Sequence, residues 1–177
     1  MSVAPASLGR AHTIGLAVAV LIFGVDRWVK WLMVIKLHLR EVGTIEILPF
    51  FNLHWTENRG VSLGMLTAQS MEMRWLLVAV TMGIALVVLV WMMREKLLVD
   101  ILALSLVLGG ALGNIFDRAT RGYVIDYADL HFGDFRPFLI FNIADAAITI
   151  GVLIILARSL LSREKPEKAA ADAAPES

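Results

Sequence analysis

Apolar residues run uninterrupted, or nearly so, through four stretches of this chain: about 13–35, 73–93, 97–115 and 139–160. Each has close to the ~20 residues that cross a bilayer core as a helix, so each is predicted as a transmembrane span. Arg10 before "IGLAVAVLIFGV" gives the first span the look of a secretory signal. No small-x-small cleavage site follows, however, and the run continues into "DRWVKWLMVI", which predicts a retained helix. Two long connections, 36–72 and 116–138, separate the spans. In the first, Phe51, Leu53 and Trp55 alternate with Asn52, His54 and Thr56; "ENRG" then reads as a turn, and Val61, Leu63 and Met65 resume the alternation. A period of two predicts strands, here a small hairpin lying on the membrane face. The second connection, "FDRATRGYVIDYADLHFGDFRPF", is rich in charge and aromatic rings and is predicted as an extended loop.

The expected fold is an α-helical integral membrane protein: four transmembrane helices with a small β-hairpin or sheet and an extended loop on one face. Residues 1–162 form one membrane-embedded domain, and the polar, Ala- and Pro-rich stretch 163–177 is expected to be disordered.

Composition sharpens this picture. The 177 residues are 58% hydrophobic with a mean hydropathy of +0.73, above the apolar share of soluble domains. A net charge of zero gives no basic face for nucleic acid. The absence of cysteine excludes disulfides, thiolate catalysis and cysteine-ligated metals. His12, His38, His54 and His131 show no metal-ligand spacing, so neither a metal nor another cofactor is expected. Charge bears on orientation too. Seven Lys and Arg flank the spans on one side (Arg10, Arg94, Lys96, Arg158, Arg163, Lys165, Lys168) and seven on the other (Lys36, Arg40, Arg59, Arg74, Arg118, Arg121, Arg136). The short basic connection "REK" breaks the tie in favour of cytoplasmic termini, with both long connections on the opposite, periplasmic face.

Antiparallel threading then brings the polar residues of the spans together whichever face is outside. Asp26 and Lys30 lie in the second half of the first span, Asn114, Asp117 and Arg118 at the end of the third, and Asn142 and Asp145 near the start of the fourth. Asp145 would lie roughly 10 Å into its helix at 1.5 Å per residue. Bland readings exist for most of these residues. Asp26 and Lys30, spaced i, i+4, can neutralise each other; Gly109 and Gly113 suit helix packing; Asn58 and Gly60 suit a turn; Arg118 can snorkel to the headgroups. Asp145 resists them. An ionised carboxylate at mid-helix costs roughly 2.5–3.5 kcal/mol on insertion scales, and intramembrane carboxylates are functional by default.

Several chemistries compete for these residues. No Gly-x-Ser-x-Gly elbow is present. Ser62 and Lys30 supply the residue types of a Ser–Lys dyad without a supporting motif, and Asp117, Asp126 and Asp129 fit no metal motif. A carboxylate pair remains, in which two close aspartates share a proton, one acting as base on water and the other as acid. Asp126, in "YVIDYADL", is the best partner for Asp145. The competing class is a small proton-coupled carrier using Asp26, Lys30 and Asp145 as a relay. The near absence of polar residues from the cytoplasmic halves of the spans counts against it. A non-catalytic scaffold held by buried polar pairs is a third reading.

The blocks "DRWVK" (26–30), "NRGVSLG" (58–64), "GGALGNIFDRATRGYVIDY" (109–127) and "FNIADAAI" (141–148) together resemble the lipoprotein signal peptidases, or signal peptidase II, in order and spacing up to about residue 162. The resemblance implies an aspartic endopeptidase of the bacterial inner membrane. Such enzymes remove the signal peptide from prolipoproteins, cutting before a cysteine that carries diacylglycerol. It implies Asp126 and Asp145 as the catalytic dyad. Asn58, Gly60, Gly110, Asn114, Arg118 and Asn142 match positions that shape the site and hold substrate, and Asp26 and Lys30 match the pair of the first helix. The expected partners are diacylglyceryl-prolipoproteins and membrane lipid, with the protein acting as a monomer. Many family members have Ala-Ala-Phe where this chain has Val61, Ser62 and Leu63, which predicts altered loop packing with activity retained.

Overall fold

A computed structural model of the chain describes residues 5–60, 71–133 and 135–172. The predicted spans appear as long helices: α1 (Pro5–Trp31), α3 (Met71–Arg94), α4 (Leu98–Arg121) and α5 (Ile143–Asp172). A single π-helical turn, Leu32–Lys36, prolongs α1, and a short helix, α2 (Leu39–Val42), follows it. The helix of the last span runs on through Asp172, beyond the boundary at 163 set for the polar tail.

The bundle is organised around α4. Of its spanning window 56% is buried inside the protein, against 11%, 11% and 17% for the other three. Lipid tails are as apolar as leucine, so helices associate in a membrane through close packing, and small residues permit it. A Cβ on Gly109 would come within 2.5 Å of the Ala19 carbonyl oxygen of α1, and one on Gly151 within 2.5 Å of that of Ala103. At Gly110 a Cβ would collide with the Ala144 carbonyl oxygen at the start of α5. Ala19, Ala85, Met92, Ile101, Leu104, Leu108 and Ile115 fill the space between the helices. The outward faces keep large apolar residues such as Val20, Val87 and Leu160 exposed, as a lipid-facing belt requires.

Over one end of the bundle lies a three-stranded antiparallel sheet in the order β1 (Thr44–Leu48), β2 (Phe51–Asn58), β3 (Val124–Leu130). β2 is the strand predicted from alternation, but its partners differ from those expected. It turns back on the preceding segment, with Leu48 opposite Phe51, and its other edge takes β3 from the second connection, with Thr56 opposite Asp126. The predicted second arm at 61–65 lies outside the described residues. Ile45 and Ile47 of β1 carry the same period-two signal. β3 has no such signal because nearly all of its residues are buried, Ile125 and Asp126 alike, and a strand buried on both faces does not alternate. Beneath the sheet, Met33, Leu39, Leu53, Ile125, Tyr127 and Ala128 form a second apolar cluster.

Candidate active site

Asp126 and Asp145 reach the same place from different elements. Asp126 is on β3, where 2% of it is exposed. Asp145 is less deep in its helix than the apolar run suggests. α5 begins at Ile143 instead of 139, because Phe141 is held by β3: its carbonyl accepts from the N–H groups of Tyr127 and Ala128, and its own N–H donates to the Ala128 carbonyl. Asn142 then starts the helix. Its Oδ1 accepts from the Asp145 N–H at 2.9 Å, while Asp145 Oδ2 accepts from the Asn142 N–H at 3.3 Å. This is a reciprocal capping box with an aspartate at the third position. An anion there also meets the positive end of the helix dipole, which offsets part of its desolvation.

The remaining first-turn N–H of α5 that reaches across the bundle goes to α1: Ala144 donates to Asp26 Oδ1 at 3.3 Å. The start of the last helix is thus held by a carboxylate from the first.

Asn142 ties the two aspartates together. Its Nδ2 donates to Asp126 Oδ1 at 2.6 Å, to the Ile125 carbonyl at 3.2 Å and to Asn114 Oδ1 at 3.2 Å. Asn114, on α4, in turn donates from Nδ2 to Asp145 Oδ1 at 2.7 Å. Asn58, at the end of β2, donates to the other Asp126 oxygen at 3.1 Å, and its own Oδ1 accepts from the Gly60 N–H at 3.2 Å. Gly60 has φ 129, a backbone that favours glycine, so turn-making and site-building are one arrangement. Arg118 stands within electrostatic reach of Asp145, Asp126 and Asp117, most strongly of Asp145.

Burial, and then the negative charge of Asp145, push the Asp126 carboxyl up to about 6; hydrogen bonds from Asn58 and Asn142 and the charge of Lys30 pull the other way. Asp145 also lines a cleft of about 270 Å³ whose other walls are Phe138, Leu139, Phe141, Ala146, Thr149 and Ile150. Two aspartates joined through Asn142 beside an apolar cleft are an arrangement that can hold an apolar chain and act on a water next to it.

Every site residue predicted from the sequence falls in or directly behind this cluster. Lys30, fully buried, lies 2.9 Å from Asp26, 2.8 Å from Asp117 and 3.4 Å from Asn114 Oδ1. Gly110 lets the start of α5 approach α4. The two spare carboxylates are accounted for otherwise. Asp117 is caged by Lys30, Arg27 and Arg121 and accepts from the Ile125 N–H, while Asp129 pairs with Arg136 at 3.1 Å. Arg74 on α3 was not legible in the sequence. It donates to the carbonyls of Arg118 (2.9 Å) and Ala119, capping the end of α4, and a lone arginine at a span boundary carries no signal for that.

The fold and the cluster define a class: a multi-pass helical membrane protein with a carboxylate-bearing site at one end of its bundle. The family model described as signal peptidase (SPase) II matches residues 18–161, and the chain belongs to that family, which makes it a peptidase by kinship. It is 54% identical over 155 residues to the lipoprotein signal peptidase of Sphingopyxis alaskensis, covering 88% of this chain and 90% of that protein. With the lipoprotein signal peptidase of Rhizorhabdus wittichii it is 54% identical over 151 residues, covering 85% and 88%. A solved bacterial membrane enzyme superposes with a TM-score of 0.72 at 26% identity, over 93% of this chain and 94% of the other.

Proposed function

We propose that the chain is an aspartic endopeptidase that removes the signal peptide from diacylglyceryl-modified prolipoproteins, cutting on the N-terminal side of the lipid-bearing cysteine. One observation carries the reading: Asn142 hydrogen-bonds both Asp126 and Asp145, and the charge of Asp145 helps hold the Asp126 carboxyl at about 6. Two carboxylates so coupled retain one proton between them. The ionised member takes a proton from water as its oxygen attacks the scissile carbonyl, and the protonated member donates to the carbonyl oxygen. Collapse of the tetrahedral intermediate breaks the C–N bond with proton transfer to the amine, and the pair returns to its single-proton state.

The other residues have positioning roles in this reading. Asn114 and Asn142 orient the pair, Asn58 holds Asp126 from the sheet, and Arg118 supplies positive charge beside the developing oxyanion. The apolar cleft next to Asp145 receives the lipidated segment. The enzyme sits in the bacterial inner membrane with cytoplasmic termini and the site toward the periplasm, where a substrate anchored by its lipid meets the carboxylates without leaving the bilayer. The identity of the two Sphingopyxis and Rhizorhabdus relatives supports the substrate class.

The test is a gel-shift cleavage assay on a diacylglyceryl-modified prolipoprotein with wild type, Asp126→Asn and Asp145→Asn purified in lipid. Turnover by wild type and none by either folded variant is expected. Residual activity in a folded Asp145→Asn protein would refute the dyad.

A further inference from the structure

Behind the candidate site lies an ionic cluster with more positive than negative charge. Asp117 receives Lys30 at 2.8 Å, Arg121 at 2.9 Å and Arg27. Lys30 is shared with Asp26. Three cations therefore face two carboxylates. Lys30, Asp26 and Asp117 are completely buried, so the surplus positive charge reaches the surface through Arg27 and Arg121, whose side chains are 18% and 31% exposed. Both arginines use Nη1 to bind the same oxygen, Asp117 Oδ1, which sets the two guanidiniums side by side. Each guanidinium has five N–H donors in a planar fork suited to phosphate oxygens.

The surroundings identify the depth. The Arg27 guanidinium lies 4.5 Å over the ring of Phe116, which is 42% exposed and packs edge-on against Phe23. Trp28 and Trp31, next along α1, are 58% and 44% exposed, and exposed tryptophans on a spanning helix mark the level of the headgroups. Arg121 is the last residue of α4. The pair thus stands on the α1–α4 seam where lipid tails give way to headgroups.

We propose that Arg27 and Arg121 form a binding site for the phosphate of an anionic glycerophospholipid headgroup. Its ligand is distinct from the lipid of the proposed substrate, since a diacylglyceryl thioether carries no phosphate, and the site does not depend on the catalytic reading. Its phosphate answers the unmatched positive charge, and the acyl chains lie against Phe116 and Phe23.

The experiment is native mass spectrometry of the delipidated full chain titrated with phosphatidylglycerol, with thermal unfolding in parallel. Near an anionic surface each arginine is worth roughly fivefold in affinity, so Arg27→Gln/Arg121→Gln should weaken binding roughly 30-fold. Arg40→Gln, a control at an exposed residue of the same face, should leave binding unchanged. Should the double variant fail to fold, Arg121→Gln alone should weaken binding roughly fivefold. Diacylglycerol and inorganic phosphate are run as separate ligands, and neither should reproduce the effect. Equal affinity in wild type and the folded variant overturns the proposal. So does an equal response to diacylglycerol, which would indicate acyl packing alone, or to inorganic phosphate, which would indicate a simple anion site.

Discussion

Asp126 shows how much a single residue's surroundings decide. In an unfolded chain its carboxyl titrates near 3.8, and in the folded protein at about 6. That gap amounts to about 3 kcal/mol. A raised value means the folded state holds the proton more tightly. The wild type is therefore at its relative best below 3.8 and loses stability as pH rises through about 6. Asp126→Asn has no proton to lose there. Its melting temperature should gain on that of wild type between pH 5 and pH 7.5, and a constant difference across this range would contradict the assigned environment. If the pair works with one shared proton, kcat/KM should also fall as pH rises above about 6, measured as a pH–rate profile on the proposed lipidated substrate. Asn142 permits a sharper separation of roles. The Asn142→Asp variant would still cap α5, since aspartate is as good a cap as asparagine, but it removes the amide donor to Asp126. Helix content by circular dichroism should be unchanged while turnover falls by about 10²-fold or more.

At the scale of elements, the sequence was most readable where periodicity is longest. The four spans and the alternation of Phe51, Leu53 and Trp55 were legible because length and period are direct consequences of what each face touches. β3 was not, because burial on both sides erases the alternation, although its Asp126 was still singled out by chemistry. The start of α5 was misplaced for a related reason. Apolar residues 139–141 continue the helix pattern in composition, but Phe141 spends its backbone groups on β3, and Asn142 can then begin the helix. That shift moves Asp145 from mid-helix to a capped first turn, where its charge has partners. Packing of α4 on α5 depends on Gly110, where a side chain meets backbone that cannot move aside. Gly110→Val should cost about 3 kcal/mol of stability, read as a lowered unfolding temperature in detergent, and should take activity with it.

At the scale of the whole molecule, most of the buried charges among the described residues form one connected system, running from Asp117 through Lys30 to Asn114 and Asp145, while Asp129 stands apart with Arg136. Threading predicted that these groups share one depth, yet it could not reveal which carboxylates are caged and which are coupled. That distinction depends on three-dimensional neighbours such as Arg27 and Arg121, far apart in the chain. Lys30 is the pivot. Lys30→Met leaves Asp26 and Asp117 buried without their shared cation, so a loss of roughly 3–5 kcal/mol is expected from unfolding measurements. A Lys30→Met protein that unfolded no more easily than wild type would mean that the carboxylates do not share the lysine's charge.

The join between Asp26 and the Ala144 N–H has a consequence for how the protein is made. Ribosomes deliver the first helix long before the last, so α5 meets a carboxylate already in place on α1. Asp145 arrives with that final helix, so a chain made only as far as α4 would lack one half of the proposed pair.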